Sequence, residues 1–429
     1  MKVLWLSPNS GLLYGDVRHG SYNGEGWVVS LQKILQESFK DIHLGMVFVS
    51  DRYQTSVEKD GTTYFPVFSR KKSRLEKVLE YYGGYKKVDD NKYVSQLRDI
   101  VKNFKPDVIH LFGMESPFSS CLGKLGVPVV VHLQGILGPY DNAFFPVDIN
   151  KSSFLFPITL KEWVLRNGYI YAKNSIKVRG NIEKRHFKLV RYVMGRTDWD
   201  FQVSRLLAPQ SEYYHVDEVL RSDFYTNMGK WQSKQRGKFK IISVISETIY
   251  KGLDVILKTA HLLKTNTNID FDWHVVGIKR NARMVHFFEK SVGVKSSDVN
   301  IIYKGVLTKE ELCMSTLDAD LYVHPSYIDN SPNSLCEAQL LGLPVIATNV
   351  GGVSSLIEHN KSGLLVPANA PFELAFYIKE IIENKELAKG LGEEAFYRAS
   401  KRHNKITIGE SLIRAYKACI KPQNANVLV

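Results

Sequence analysis

The chain has 429 residues, 44% hydrophobic and 24% charged, which is an ordinary globular composition long enough for two or three domains and neither disordered nor collagen-like. Its four cysteines (Cys121, Cys313, Cys336, Cys419) lie far apart with no C-x-x-C pair, which argues against a disulfide framework or structural zinc site and for a reducing compartment. Lys and Arg number 57 against 44 Asp and Glu, a net charge of +13, and no stretch approaches the ~20 apolar residues that span a bilayer.

In chain order, Met1-Lys2 precedes an apolar run, residues 3–6, that is shorter than a signal-peptide core of roughly 7–15 residues, so a cytoplasmic location is expected. Residues 3–7, 44–49, 108–111 and 129–133 read as buried strands, separated by amphipathic helices such as 27–36 and 92–103. Gly24 and Gly26 lie in a short glycine loop between the first strand and the first helix. Residues 151–196 interrupt the series with mostly helical sequence. This segment carries eleven basic side chains (Lys151, Lys161, Arg166, Lys173, Lys177, Arg179, Lys184, Arg185, Lys188, Arg191, Arg196) against Glu162 and Glu183, interleaved with aromatic residues. It is expected to meet anionic lipid head groups or a lipid-diphosphate acceptor, with solvated helix faces as the alternative. A nucleic-acid surface is disfavoured because no recognised module accompanies it.

After a polar stretch near 230–240 the alternation restarts, with strands at 239–245, 273–276, 299–303, 321–324 and 345–348. Two βα series imply two Rossmann-like, doubly wound parallel-sheet domains, 1–225 and 226–405, with a terminal helix at 406–420 that is free to pack back on the first. Ligands of such sheets bind beyond the carboxyl ends of the strands, which here would face an interdomain cleft.

The window 321–367 carries the chemistry. A strand ends at His324-Pro325, a polar loop follows with Asp329, Asn330, Ser331 and Pro332, and a helix starts near Asn333-Ser334-Leu335 with Glu337 about one turn in. A helix N-terminus offers unpaired N–H groups and the positive end of its dipole, which suit a phosphate. Glu337 would accept hydrogen bonds from a ribose diol, and Asp329 would face the group on the far phosphate.

The spacing Asp329-x7-Glu337, followed by Ala338, Gly342, Pro344-Val345 and Gly351-Gly352, resembles the acidic signature of family 4 retaining glycosyltransferases of the GT-B fold, with aspartate where the first glutamate is more usual. The resemblance covers most of 236–404 and, more loosely, the first domain. It implies that Lys251, beside Gly252, neutralises a donor diphosphate, and that Gly277 and Gly305 border the nucleotide and sugar. It also implies that the loop of Gly24 and Gly26 lies against the donor phosphates. Ser246 stands where the family usually has a second cation, an arginine. Lys279, Arg280 and Lys304 are the candidates to replace it.

In the first domain Gln134 stands where a histidine is commoner, before Gly135; it can orient a hydroxyl but cannot titrate. His132, two residues earlier on the same side of its strand, is either a second acceptor contact or a core histidine. Asp198 and Asp200 form an Asp-x-Asp, a pattern that holds divalent metals elsewhere and recurs here at Asp318 and Asp320. Beside a donor site of this kind no metal is expected, and Arg196 and Asp198 are assigned to the acceptor side, with a structural ion pair as the alternative.

The expected function is therefore retaining, metal-independent transfer of a sugar from a nucleoside diphosphate to a hydroxyl acceptor, on a lipid-linked or polysaccharide intermediate of the capsule or O-antigen type. No cofactor and no nucleic acid are expected, and attachment to the inner face of the membrane would run through 151–196. The alternatives are a non-catalytic nucleotide-sugar binding protein and a glycoside hydrolase that uses Asp329 and Glu337 as its two acids.

Overall fold

The structure is a computed structural model that describes residues 1–421 apart from 8, 14–16, 19–20, 23–25, 52–54, 71–72, 74–75, 77–92, 151–167 and 235–236. Its strands are β1 (Lys2–Leu6), the antiparallel pair β2 (Val17–Arg18) and β3 (Ser21–Tyr22), β4 (His43–Ser50), β5 (Val57–Lys59), β6 (Thr62–Phe68), β7 (Val108–Phe112), β8 (Val129–His132), β9 (Tyr192–Gly195) and β10 (Glu212–His215). In the second half come β11 (Phe239–Val244), β12 (Phe271–Val276), β13 (Ile301–Gly305), β14 (Leu321–His324), β15 (Val345–Thr348) and β16 (Leu364–Val366).

Eight strands form the first sheet in the order β10-β9-β8-β7-β1-β4-β6-β5, parallel except where β5 meets β6. Six form the second, β13-β12-β11-β14-β15-β16, all parallel. Strands covered on both faces need apolar residues at every position. Thus Val3 and Trp5 enter the core on one face of the first sheet, and Leu4 and Leu6 enter the core on the other. Ile241 and Ile242 divide in the same way between the two cores of the second sheet. The molecule is thus two parallel-sheet α/β domains in the GT-B arrangement.

The last helix, Lys405–Ile420, lies on the first sheet. Ile408, Leu412, Ala415 and Tyr416 join the cluster of Val3, Trp5 and Trp27, and the Trp5 indole donates to the Tyr416 hydroxyl at 3.0 Å. The chain therefore crosses between the domains twice, near residues 216–222 and 402–405. The crossings touch where the Tyr225 hydroxyl donates to the His403 carbonyl at 2.8 Å.

The segment read as mostly helical, 151–196, does contain the helix Tyr169–Phe187, but it ends in β9, a strand next to the edge of the sheet that the sequence reading did not anticipate. Residues 151–167, and with them Lys151, Lys161 and Arg166, lie outside the described residues. The stretch 144–149 just before the segment, and the start of its helix, reach the second domain. Phe144 and Ile149 pack in the core of the second domain with Ile245 and Leu253, Lys258 pairs with Asp148 at 2.5 Å, and the Tyr169 ring meets Phe287. Among the described residues no helix is long and apolar enough to cross a membrane.

Candidate functional site

The carboxyl ends of β11 and β14, neighbours in the second sheet, bring Lys251 and Asp329 together. Lys251 ends a short 3-10 turn, and Gly252 then opens the helix Leu253–Asn266 at φ +78°. A Cβ on Gly252 would sit 2.1 Å from the Pro325 carbonyl oxygen, so only glycine lets the two loops meet. The Lys251 ammonium lies 2.5 Å from Asp329 Oδ2, and His324 Nε2 lies 3.1 Å from the same oxygen. Burial alone would raise the Asp329 carboxyl, but Lys251 and His324 hold it well below the usual carboxylate range, so it stays ionised.

The loop after Asp329 leads into the helix Asn333–Leu341, with Pro332 at its N-cap. Leu335 is buried in the core, and the Ser334 hydroxyl accepts from Tyr322 at 2.8 Å. The Asn330 and Ser331 side chains turn toward the first domain and the crossover. Thr197 donates to Asn330 at 2.8 Å, and Ser331 donates to Glu218 at 2.7 Å. The helix mouth keeps its backbone N–H groups and the half-buried Asn333, beside Lys251, for an anion.

Glu337 lies on the buried face of this helix, 1% exposed, and is gripped by Arg221: Nε donates to Oε1 at 2.7 Å and Nη2 to Oε2. Arg221 precedes the short helix Ser222–Thr226 at the first crossover. Burial alone would lower its pKa, yet Glu337 raises it. No local spacing pointed to this partner. The available signal was Glu337 among Leu335, Cys336 and Ala338, since a carboxylate on an apolar face must find a cation.

At the ends of β12 and β13, Gly277 donates through its N–H to Gly305 O at 2.7 Å, so the two glycine loops are tied side by side. Arg280, one candidate to replace the cation missing at Ser246, pairs with Glu289 at 3.0 Å, and Lys279 and Lys304 are exposed. Gly24 lies outside the described residues. Gly26 caps the helix Trp27–Ser38, where its carbonyl accepts from Val29 and Ser30.

Across the cleft, the Gln134 carbonyl accepts from Arg196 at 3.0 Å, while its side-chain Nε2 is buried without a partner. Arg196 is 3% exposed, over the Trp27 ring and 3.6 Å from Glu218. His132 does not reach the cleft. It is fully buried in a stack with His110, bonds through Nε2 to the Val216 carbonyl at 3.1 Å, and burial pushes its pKa down. Asp198 and Asp200 diverge: Asp198 is exposed, its N–H donating to Ser355 at 2.9 Å, whereas Asp200 is fully buried and accepts from the Arg196 N–H and from Asn330, each at 2.8 Å. They do not form a two-carboxylate seat for one ion.

A third ligand-type group, Glu218, Cys336 and His403, gathers within 4.8 Å at the crossovers. Burial would raise the Glu218 carboxyl, but Arg196, His403 and Arg402 bring it to about 2. Its charge is already met by guanidinium groups, which leaves little for a cation.

Sequence reasoning missed Glu115 and Glu183. Glu115 follows β7 at its carboxyl end, and Glu183 lies on the helix Tyr169–Phe187, where Oε2 accepts from the Leu137 N–H at 2.8 Å. Burial raises Glu115 to about 7 and Glu183 to about 8. Glu115 Oε2, Glu183 Oε1, Gln134 Nε2 and Arg196 Nε are all buried without a partner, a set that hydroxyl groups or water would satisfy. Gly113-Met114-Glu115 beyond a buried strand was the available signal.

Residues 228–398 match the family model for glycosyl transferases group 1. The chain is 30% identical over 149 residues to D-inositol 3-phosphate glycosyltransferase of Paenarthrobacter aurescens, covering 34% of this chain and 36% of the relative. It is 31% identical over 147 residues to the putative colanic acid biosynthesis glycosyltransferase WcaL of Salmonella typhimurium, covering 33% and 35%. These matches span about a third of each relative. The fold matches that of Anabaena HepE, solved in complex with UDP-glucose, with a TM-score of 0.61 at 15% identity over 97% of this chain and 100% of that one.

Proposed function

We propose, for a chain whose residues 228–398 match the family model for glycosyl transferases group 1, retaining, metal-independent transfer of a sugar from a nucleoside diphosphate to a hydroxyl acceptor, in the manner of family 4. The observation that carries this reading is the Lys251–Asp329 pair at 2.5 Å, set at the mouth of the helix Asn333–Leu341. The lysine and the helix dipole would stabilise the charge that develops on the departing diphosphate. Asp329, kept ionised, would accept a hydrogen bond from a hydroxyl of the donor sugar. Glu337, fixed by Arg221, would hold the ribose. The leaving phosphate itself would take the acceptor proton on the face it vacates, so retention needs no protein base.

The diphosphate charge is met by Lys251 and backbone dipoles, and the reading therefore assigns no catalytic metal. A panel of UDP, GDP and ADP sugars, with nucleotide release followed in the presence and absence of EDTA, tests both points. Release that survives chelation is expected; release abolished by EDTA and restored by Mn²⁺ contradicts metal independence.

For the acceptor, we favour a lipid-linked or polysaccharide intermediate at the inner face of the membrane. Lys177, Lys184 and Arg185 are exposed on the helix Tyr169–Phe187 and Lys188 at its C-cap, and each basic group near an anionic surface contributes about 1 kcal/mol before screening. Two neighbours have structural partners instead: Lys173 pairs with Asp141 at 2.7 Å, and Arg179 donates to the Glu115 carbonyl at 3.2 Å. Reversing the four exposed charges should abolish salt-sensitive binding to phosphatidylglycerol vesicles. Binding that persists would return this face to simple solvation.

A further inference from the structure

Asn330 follows Asp329 directly, yet each of its three side-chain hydrogen bonds to other residues goes to the opposite domain. Oδ1 accepts from Thr197 at 2.8 Å, and Nδ2 donates to the Gln134 carbonyl at 3.1 Å and to Asp200 Oδ1 at 2.8 Å. The bonds to Thr197 and Asp200 are dry: Asn330 and Thr197 are 1% exposed and Asp200 is fully buried. Asp200 is in turn fixed within its own domain, where Oδ2 accepts from the Arg196 N–H at 2.8 Å and its N–H donates to Thr197 at 3.1 Å. A second contact closes beside it. A Cβ on Gly352 would lie 2.5 Å from the Asn330 carbonyl oxygen and 2.6 Å from the Thr197 hydroxyl, so the loop after β15 fits over the same junction only as glycine.

We propose that Asp200 and Asn330 form a registering pair, which positions the Asp329 loop against the first domain and so sets the closed-cleft geometry in which the bond between donor sugar and diphosphate breaks. The inference rests on the reading of Asp329 and Lys251 as the donor-side groups. Asp200 is thereby a positioning residue, acting through Asn330, and the buried half of the Asp-x-Asp gains a role that has nothing to do with metal. The polarity of the junction is fixed. Arg196 N–H requires an acceptor from position 200, and the Asn330 amide requires one too, a demand that only a carboxylate meets. Asn330→Asp would set a second carboxylate against Asp200 and the Gln134 carbonyl. Asp200→Asn would set two amide NH₂ groups face to face. The exchange Asp200→Asn with Asn330→Asp restores a donor opposite an acceptor between positions 200 and 330 in the reverse direction, while the bond to the Gln134 carbonyl stays lost, so recovery is expected to be partial.

The test measures UDP affinity by calorimetry and UDP release from UDP-glucose for the two single variants and the exchanged pair. Each single change should lower kcat by about tenfold or more, the scale of a small misplacement of reacting groups, with UDP affinity nearly unchanged. The pair should recover well beyond the product of the single losses. Losses that simply multiply, or UDP affinity that falls in step with kcat, would overturn the proposal.

Amide hydrogen exchange, read without any ligand, separates this inference from the functional reading. Asp200→Asn should speed exchange in the Asp329–Leu335 region of the other domain, and an unaltered pattern there would refute the registering role. A wild-type protein that neither binds UDP nor turns over any sugar nucleotide would sink the transferase reading, while the exchange result would still decide whether Asp200 holds the loop.

Discussion

The two walls of the cleft differ in how their polar groups are satisfied. On the second-domain side the two acids of the candidate site have their cations in place: Asp329 has Lys251, and Glu337 has Arg221. On the first-domain side Glu115, Gln134, Glu183 and Arg196 each keep a buried polar atom with no partner. A wall whose charges are paired in advance suits a ligand of fixed chemistry, and a nucleoside diphosphate is such a ligand. A wall with unfilled donors and acceptors waits for hydroxyl groups, and each atom left unfilled costs about 1–3 kcal/mol. The donor side is therefore expected to be rigid and intolerant, the acceptor side wet and sensitive to pH.

The strongest way to break this contrast is Lys251→Ala. It should cost about 100-fold or more in kcat, the scale of losing one preorganised group that faces developing negative charge. Next comes Glu337→Ala, which removes a charged contact worth about 1.5–3 kcal/mol in nucleotide affinity and strands the Arg221 guanidinium. Calorimetry should show weaker UDP binding together with a lower melting temperature. Unchanged affinity in the folded variant would confine Glu337 to a structural role.

On the other wall, Glu183 sharpens the contrast through pH. Its carboxyl is raised from the ordinary range to about 8 by burial, so between those values the folded protein holds a proton that the unfolded chain has released. Stability from this group is present at acid pH and is lost as pH rises toward and through 8. Glu183→Gln should therefore melt like wild type near pH 4 and be more stable at pH 9, by at least about 1.4 kcal/mol, one pKa unit's worth. Parallel melting curves across that range would remove the protonated carboxyl from the account. The smallest expected effect is that of EDTA, none, on nucleotide release.

The same contrast governs how much the sequence disclosed. Strands such as β1, β7, β11 and β14 were legible because parallel strands buried on both faces are written as mostly apolar runs. β9 and β10 were not: β9 follows closely on a basic helix, and β10, Glu-Tyr-Tyr-His with both ends exposed, carries no apolar run. Lys251 and Asp329 stood out because each follows the end of a strand at recognisable spacing. Arg221 was invisible as the partner of Glu337, being 116 residues distant in the chain. Asn330 marks the subtler limit. Spacing put it in the right loop, but which wall its amide faces is decided by Thr197 and Asp200, through contacts that no local pattern encodes.

The most direct test of the division between the walls is the ratio of sugar transfer to sugar-nucleotide hydrolysis, measured in parallel for Lys251→Ala and Gln134→Ala. Lys251→Ala should depress both reactions together and leave the ratio unchanged, because the departing diphosphate is common to both. Gln134→Ala removes only an unpartnered amide and keeps the carbonyl that Arg196 and Asn330 use, so transfer should fall while hydrolysis persists and the ratio drops. An unchanged ratio in Gln134→Ala, with both activities lost alike, would contradict the assignment of one wall to the donor and the other to the acceptor.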